Sequence, residues 1–82
     1  MLNEDFIVHW RIFRENGPLN DRHAQDSFHA SVQHVFNHLT SDELRSLMSV
    51  HRIMHLRGHF REEWDQICDS IEERLHIKRE LH

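Results

Sequence analysis

Three histidines recur at intervals of four residues in the segment HRIMHLRGH, which spans positions 51 to 59. On a helix this spacing places His51, His55 and His59 along one ridge, and Glu62 follows about one turn later. Two imidazoles one turn apart can bind a divalent metal ion, and a carboxylate can supply a third ligand. These four residues are the candidate metal ligands of the sequence. We nevertheless predict no bound metal and no other cofactor, because the first two histidines also suit a different role.

That role is structural packing. His51 and His55 share a helix face with three apolar residues, Leu44, Met48 and Met54. Such a face is typical of a packing surface, and polar groups within one are normally hydrogen-bonded. We therefore favour two partly buried imidazoles held at a helix contact over a metal site.

The histidine content also suggests a response to acid. The chain has ten histidines among 82 residues and a formal net charge of −4, so adding ten protons would bring the charge to +6. His34 and His38 form a second pair four residues apart, and closure of a helical hairpin would let some of these rings meet the first ridge. Imidazoles held together in an apolar contact resist protonation, so acid would loosen that contact. A metal- or pH-responsive module is accordingly one hypothesis for the function.

The motifs of common enzyme classes are missing from the sequence. It contains no HExxH, glycine-rich phosphate loop, GxSxG or CxxC segment. The single cysteine, Cys68, stands between Asp65 and Asp69, and acidic neighbours make a thiol a poorer nucleophile. A chain of this length also has little room for a ligand-sized cleft. We predict that the protein is not an enzyme.

The expected compartment follows from similar considerations. A lone cysteine fits a reducing interior. The first ten residues, MLNEDFIVHW, carry acidic side chains where a signal peptide requires basic ones, and no apolar run reaches the length of a membrane span. We expect a cytoplasmic protein with no membrane partner.

The elements that must position these residues are predicted to be helices. Phe6, Trp10 and Phe13 recur at helical spacing, and Gly17 followed by Pro18 provides a stop, which indicates a helix over about 4–15. The segment FIVHWRIF also suits a β-strand. A strand needs a partner, however, and no second strand pattern occurs in the chain, so we favour the helix.

A helical hairpin is predicted to follow. A helix over about 21–39 is indicated by an apolar stripe, which consists of Ala24, Phe28, Val32, Val35, Phe36 and Leu39. The segment LTSDEL then has the form of a capping box, in which Thr40 and Glu43 exchange hydrogen bonds, with Leu39 and Leu44 placed as a hydrophobic staple. Because the turn is short, the helix that begins here should lie antiparallel to the one before it.

The last predicted helix extends over about 41–80 and has two apolar faces. The faces point in nearly opposite directions on either side of Gly58. A helix that ends at Gly58, followed by a fourth helix, is one reading. We favour a single long helix that bends there, because no Ser, Thr, Asp or Asn between Gly58 and Trp64 is available to cap a new start. The second face has the spacing of a coiled-coil seam and should cover the N-terminal helix or a second subunit; it consists of Phe60, Trp64, Ile67, Ile71 and Leu75.

Contact with nucleic acid is possible through Arg52, Arg57 and Arg61, which lie along the long helix. Acidic residues interleave with these and later bases, which suggests pairing within the helix on a solvated face. The net negative charge also provides no overall attraction for DNA. A DNA-binding transcriptional or nucleoid-associated modulator is therefore an alternative that we do not favour.

Together these features predict one all-α domain over residues 1–82, a small bundle of three helices, or four if the last one breaks. A chain this small without disulfides often obtains buried area from a second copy. We predict a non-enzymatic regulatory, adaptor or inhibitory protein that acts by binding another protein and is a homodimer.

Overall fold

The fold is all-α, as the sequence predicts. The computed structural model describes residues 4–77 and contains no strand within that range. Its four α-helices are α1 (Glu4–Asn16), α2 (Arg22–Val35), α3 (Ser41–Arg57) and α4 (Arg61–Leu75). A short 3-10 helix, Phe36–His38, extends α2 toward the next turn. The segment that could also have formed a strand lies in α1.

Side-chain caps define where α2 and α3 begin. The Asp21 carboxylate accepts a hydrogen bond from the backbone N–H of Ala24 over 2.8 Å. At the start of α3, the Thr40 hydroxyl accepts from the N–H of Glu43 over 3.1 Å, and the Glu43 carboxylate accepts from the N–H of Thr40 over 2.8 Å. The predicted capping box is therefore confirmed.

The favoured single helix over 41–80 is wrong, because the chain breaks at Gly58. Gly58 has a φ of 76°, and its N–H donates to the carbonyl of Met54 over 2.8 Å, which ends α3 in a left-handed cap. Phe60 then precedes α4 with a φ of 80° and no side-chain cap. Its carbonyl accepts a hydrogen bond from the N–H of Trp64, so the backbone starts the new helix without a capping residue. Positions 78–80 of the predicted helix lie outside the described residues.

The core is built on stacked aromatic rings from three helices. Phe13 of α1 packs on Phe28 of α2, at a ring distance of 4.8 Å, and on Trp64 of α4, at 5.5 Å, and the Phe28 and Trp64 rings are themselves 6.0 Å apart. The Trp64 indole N–H donates to the backbone carbonyl of Arg14 over 3.0 Å. Leu47 of α3 belongs to the same buried cluster. One residue expected on the apolar stripe of α2, Phe36, is instead 43% exposed.

Ion pairs join α4 to the helices around it. The Arg14 guanidinium of α1 contacts Glu72 over 2.6 Å and Asp69 over 2.7 Å. Arg74 makes two hydrogen bonds to the Glu43 carboxylate at the start of α3. Acidic and basic residues of the last segment were expected to pair along their own helix, whereas the Arg14–Glu72 and Arg74–Glu43 ion pairs join different helices.

Candidate protein-interaction surface

The apolar face predicted as a protein interface is buried at its two largest contacts within the protein's own core. Trp64 and Ile71 are fully buried, so neither can contact another chain in this fold. The other three residues are partly buried; they are Phe60, Ile67 and Leu75. The spacing of these residues is compatible with a cover by the N-terminal helix or by a second subunit. Because Phe13 stacks on Trp64, the N-terminal helix covers this face at its centre.

The candidate metal ligands do not converge. His51 and His55 point their Nε2 atoms at groups of α2 and of the turn before it. His59 is exposed beyond the end of α3, and Glu62 is exposed in the first turn of α4. Within residues 4–77, no group of three or more potential ligands is placed to hold an ion. We identify none of these side chains as a metal ligand.

Both inner histidines are hydrogen-bonded at a helix contact. The Nε2 of His51 lies 3.1 Å from the amide oxygen of Gln25, and the Nε2 of His55 lies 2.7 Å from the carbonyl oxygen of Gly17. Since both acceptors are oxygens, each ring donates from Nε2 when it is neutral. The His51 ring also stacks on Phe28 at 4.2 Å and 11°. This is the packing role that the sequence favoured.

The surroundings of His51 disfavour its charged form. Burial, and after it charge repulsion from the neighbouring His55 and His29, lowers the pKa of His51 to about 4. His29 belongs to α2 and meets the His51 ring edge-on at 6.3 Å. The second predicted pair lies elsewhere, since His34 stacks on His9 and His38 packs on Phe6.

Gln25 is a positioning residue that the sequence analysis missed. Its side-chain amide nitrogen donates to the carbonyl of Leu19 over 2.6 Å, while its oxygen faces His51. The residue therefore joins α2, the turn after α1, and α3. The sequence feature that could have indicated this role is the position of Gln25 beside Ala24, at the edge of the apolar stripe of α2, where a polar side chain needs hydrogen-bond partners.

The exposed apolar surface lies where α3 ends and α4 begins. Leu56 is 72% exposed, the largest exposure among the large apolar residues that stand out on the described surface. It lines a concavity of about 470 Å³, which we call the junction groove and define by Arg52, Ile53, Leu56, Arg57 and Phe60. Ile53 and Phe60 are half-buried and form its apolar part, and the two arginines are exposed at its edges.

The three arginines considered for nucleic acid are divided between two surfaces. Arg52 and Arg57 line the junction groove. Arg61 lines a separate polar cavity of about 320 Å³, together with Arg14, Asp65 and other charged residues. The structure therefore does not assemble the three into one basic patch.

Phe60 has a backbone conformation that is rare for its residue type. Among the described residues other than glycine, only Phe60 and His76 have a positive φ. A bulky residue with φ of 80° is an outlier, and a strained backbone of this kind costs about 1–3 kcal/mol. Such strain is concentrated at functional sites, and here it holds an aromatic ring in the junction groove.

Cys68 has the properties of a structural residue. Its side chain is fully buried and has no disulfide partner. Burial raises the pKa of the thiol to about 12, so it stays protonated at neutral pH. A protonated thiol is not a nucleophile.

Comparisons with protein-family models, curated proteins and solved structures found no match to this chain. Within residues 4–77, none of the helices combines the length and the apolar character required to cross a bilayer.

Proposed function

We propose that this protein is a small helical binding module, of a regulatory or adaptor kind, that docks a segment of another protein in the junction groove. The observation that carries the proposal is the exposure of Leu56 beside Ile53 and Phe60. An exposed apolar patch with a polar rim is a common mark of a protein interaction site. The strained Phe60 supports the same location, since its ring forms part of the groove.

The chemistry of the groove indicates an acidic, amphipathic partner segment. Its apolar centre would receive aliphatic side chains, and the guanidinium groups of Arg52 and Arg57 would pair with carboxylates on the same segment. Arginine is suited to this because its planar group can bind a carboxylate through two hydrogen bonds. A helix with leucines on one face and glutamates beside them has both features.

A second copy of the chain is a less suitable occupant. In a symmetric dimer the same patch meets itself, so Arg52 and Arg57 would approach their own counterparts at the edge of the groove. Like charges at such an interface oppose association. Phe13 of α1 packs on Trp64, which removes that side chain as a subunit contact, and the proposed partner is a different protein.

DNA is also a less suitable occupant than an acidic peptide. Arg52 and Arg57 surround an apolar side chain, Leu56, which has no favourable contact to make with a phosphate backbone. Arg61, which would extend the basic surface, lines the cavity that also contains Asp65 and Asp69. A protein segment uses both the apolar and the basic parts of the groove.

The proposal is tested with a synthetic amphipathic peptide of about 14 residues, roughly four helical turns, with leucines on one face and glutamates next to them. Isotope-labelled protein is titrated with this peptide, and the backbone resonances are followed by NMR. We expect the largest shifts at Ile53, Leu56 and Phe60. A peptide with lysines in place of the glutamates should bind at least about tenfold more weakly, which corresponds to 1.4 kcal/mol.

The matched variants are Leu56→Ser and Val8→Ser. Val8 is 54% exposed on α1 and is not among the residues that line the groove. We expect Leu56→Ser to weaken the glutamate peptide at least about tenfold and Val8→Ser to leave its affinity unchanged. Equal binding of both peptides, or equal effects of both variants, would contradict the proposal. A salt-sensitive gel shift with duplex DNA, or a dimer mass that Leu56→Ser abolishes, would favour the two occupants argued against above.

A further inference from the structure

The helix that carries the junction groove is held to the rest of the bundle by imidazoles. Arg52 and Leu56 lie on the outer side of α3, in the groove. His51 and His55, one residue earlier in each case, lie on its inner side, against Gln25 and Gly17. A change in the inner contacts therefore acts on the same two turns of helix that form the groove.

The groups that face His51 come from three helices. On α2 these are Gln25, Phe28 and His29, and on α4 it is Trp64, whose ring lies 6.0 Å away. His55 is the neighbour on α3 itself, at 4.5 Å. The titratable groups that act on the charge of His51 are His29 and His55. Both lower the pKa of His51, so neither compensates a charge on it.

We propose that mild acid releases the second half of α3 from α2 by protonating His51, and that this release dismantles the junction groove. The release of α3 follows from the imidazole contacts alone. Only the effect on binding depends on the proposed function. The groove is lost because Ile53, Leu56 and Arg57 move with α3, whereas Phe60 stays with the start of α4, whose Trp64 and Glu72 are tied to α1.

The direction follows from linkage between protonation and release. The pKa of His51 is about 4 in the closed fold, below its ordinary value of 6.5. A released imidazole titrates near its ordinary value, so the closed state is fully favoured above that pH and loses its advantage as the pH falls toward 4. Between pH 7.5 and 5.5 the ratio of released to closed protein should rise about tenfold for one such group.

The experiment measures backbone amide exchange at pH 7.5 and 5.5, expressed as protection factors so that the intrinsic effect of pH is removed. We expect protection of the amides from His51 to Arg57 to fall about tenfold at the lower pH. Protection of the amides in α4 should stay unchanged. His51→Gln and His51→Phe should both remove this difference, since neither side chain titrates and the second keeps an aromatic ring on Phe28. His23→Gln is the matched control, because His23 is exposed on α2.

The glutamate peptide provides the second readout. The natural protein should bind this peptide more weakly at pH 5.5 than at pH 7.5. The affinity of His51→Phe for the peptide should differ little between the two pH values, and this variant also corrects for titration of the peptide itself. Unchanged protection of α3, or an equal fall in all helices, would overturn the release. Release of α3 without loss of peptide would overturn its coupling to the groove. Absence of peptide binding at pH 7.5 would contradict only the proposed function, because the exchange measurement still tests the release.

Discussion

Trp10 donates its indole N–H to the Glu72 carboxylate over 2.9 Å, although 62 residues separate the two along the chain. The same carboxylate oxygen accepts a hydrogen bond from Arg14 over 2.6 Å. One buried acidic residue thus serves both a neutral and a charged donor and connects the first helix to the last. Because α1 is held in this way, its Phe13 can pack on Trp64 at the centre of the apolar face of α4.

Glu72→Gln should destabilise the fold while leaving it assembled. The amide still provides an acceptor for Trp10 but removes the negative charge beside Arg14. Breaking a buried ion pair costs about 3–5 kcal/mol, and the remaining contact of Arg14 with Asp69 reduces the expected loss to about 2 kcal/mol. Urea denaturation measures this loss in the free energy of unfolding. Glu73→Gln, at the exposed neighbouring position, should change the free energy of unfolding by less than about 0.5 kcal/mol, and equal losses in the two variants would contradict this account.

Gly17→Ala should also be destabilising, for a steric reason. A Cβ atom at this position would lie 2.5 Å from Cζ2 of the buried Trp64. Because that ring is packed in the core, we expect a loss of about 1–3 kcal/mol. Gly58→Ala is the comparison, since a Cβ there meets nothing within 4 Å but the φ of +76° is unfavourable, at a cost of about 1 kcal/mol. Thermal melts of both variants measure these losses. If Gly17→Ala is no less stable than the natural protein, Trp64 moves aside easily and the steric account is wrong.

Trp64→Ala distinguishes between two roles of Trp64, that of a core residue and that of an interface residue. Its side chain is fully buried within one chain, so we expect a loss of about 3–5 kcal/mol in the free energy of unfolding. The mass of the folded protein in light scattering should be the same as that of the natural protein. A fall from dimer to monomer with little change in stability would instead restore Trp64 as a subunit contact.

The Arg74–Glu43 ion pair should make stability depend on acid in a defined range. The hydrogen bond from Arg74 lowers the pKa of Glu43 below its ordinary value of 4.5; burial opposes this, and the hydrogen bond from the Thr40 N–H supports it. The pair therefore stabilises the fold above pH 4.5, and its contribution is lost as the pH falls below that value. Since the Arg74 side chain is 42% exposed, we expect about 0.5–1 kcal/mol.

Urea denaturation at pH 7 and pH 3.5 tests this pair. Arg74→Met should lower stability at pH 7 and have a smaller effect at pH 3.5. Arg45→Met, at an exposed position on α3, should have little effect at either pH. If Arg74→Met lowers the free energy of unfolding by the same amount at both pH values, the contribution of Arg74 comes from other contacts, such as its hydrogen bond to the His38 carbonyl.

Phe60→Asn should separate stability from binding. Asparagine tolerates a positive φ, so the change relieves strain of about 1 kcal/mol while removing a half-buried ring of comparable value. We expect the free energy of unfolding to change by less than about 1 kcal/mol, and the glutamate peptide to bind at least about tenfold more weakly. Loss of stability without loss of affinity would show that the ring serves packing alone.

The local signals in the sequence predicted the helices well where the chain itself supplies the chemistry. The Thr40 and Glu43 side chains cap α3 from positions three residues apart, so their pattern is readable without a fold. Gly58 was recognised as the point where the helix faces change. The break itself is not readable in this way, because Phe60 starts α4 through its backbone and without a capping side chain, in a conformation that a sequence does not reveal.

The candidate site was predicted less well. The exposure of Leu56 depends on how far α4 turns away after Gly58, and the partners of His51 and His55 depend on where α2 and its preceding turn come to lie. The residues proposed from periodicity, Trp64 and Ile71, were correctly identified as needing a cover. Periodicity states that a face is apolar but not which surface covers it.

What the amino-acid sequence determined by itself is therefore the all-α class, the start of each hairpin helix and the existence of two apolar faces near Gly58. These depend on interactions within a few turns of chain. Only the tertiary structure decided that α1 covers Trp64, that Glu72 joins Trp10 to Arg14, and that Leu56 remains exposed between two arginines. Those relationships join residues distant in sequence, and they arise from the directions in which short helices leave their turns, which no local pattern specifies.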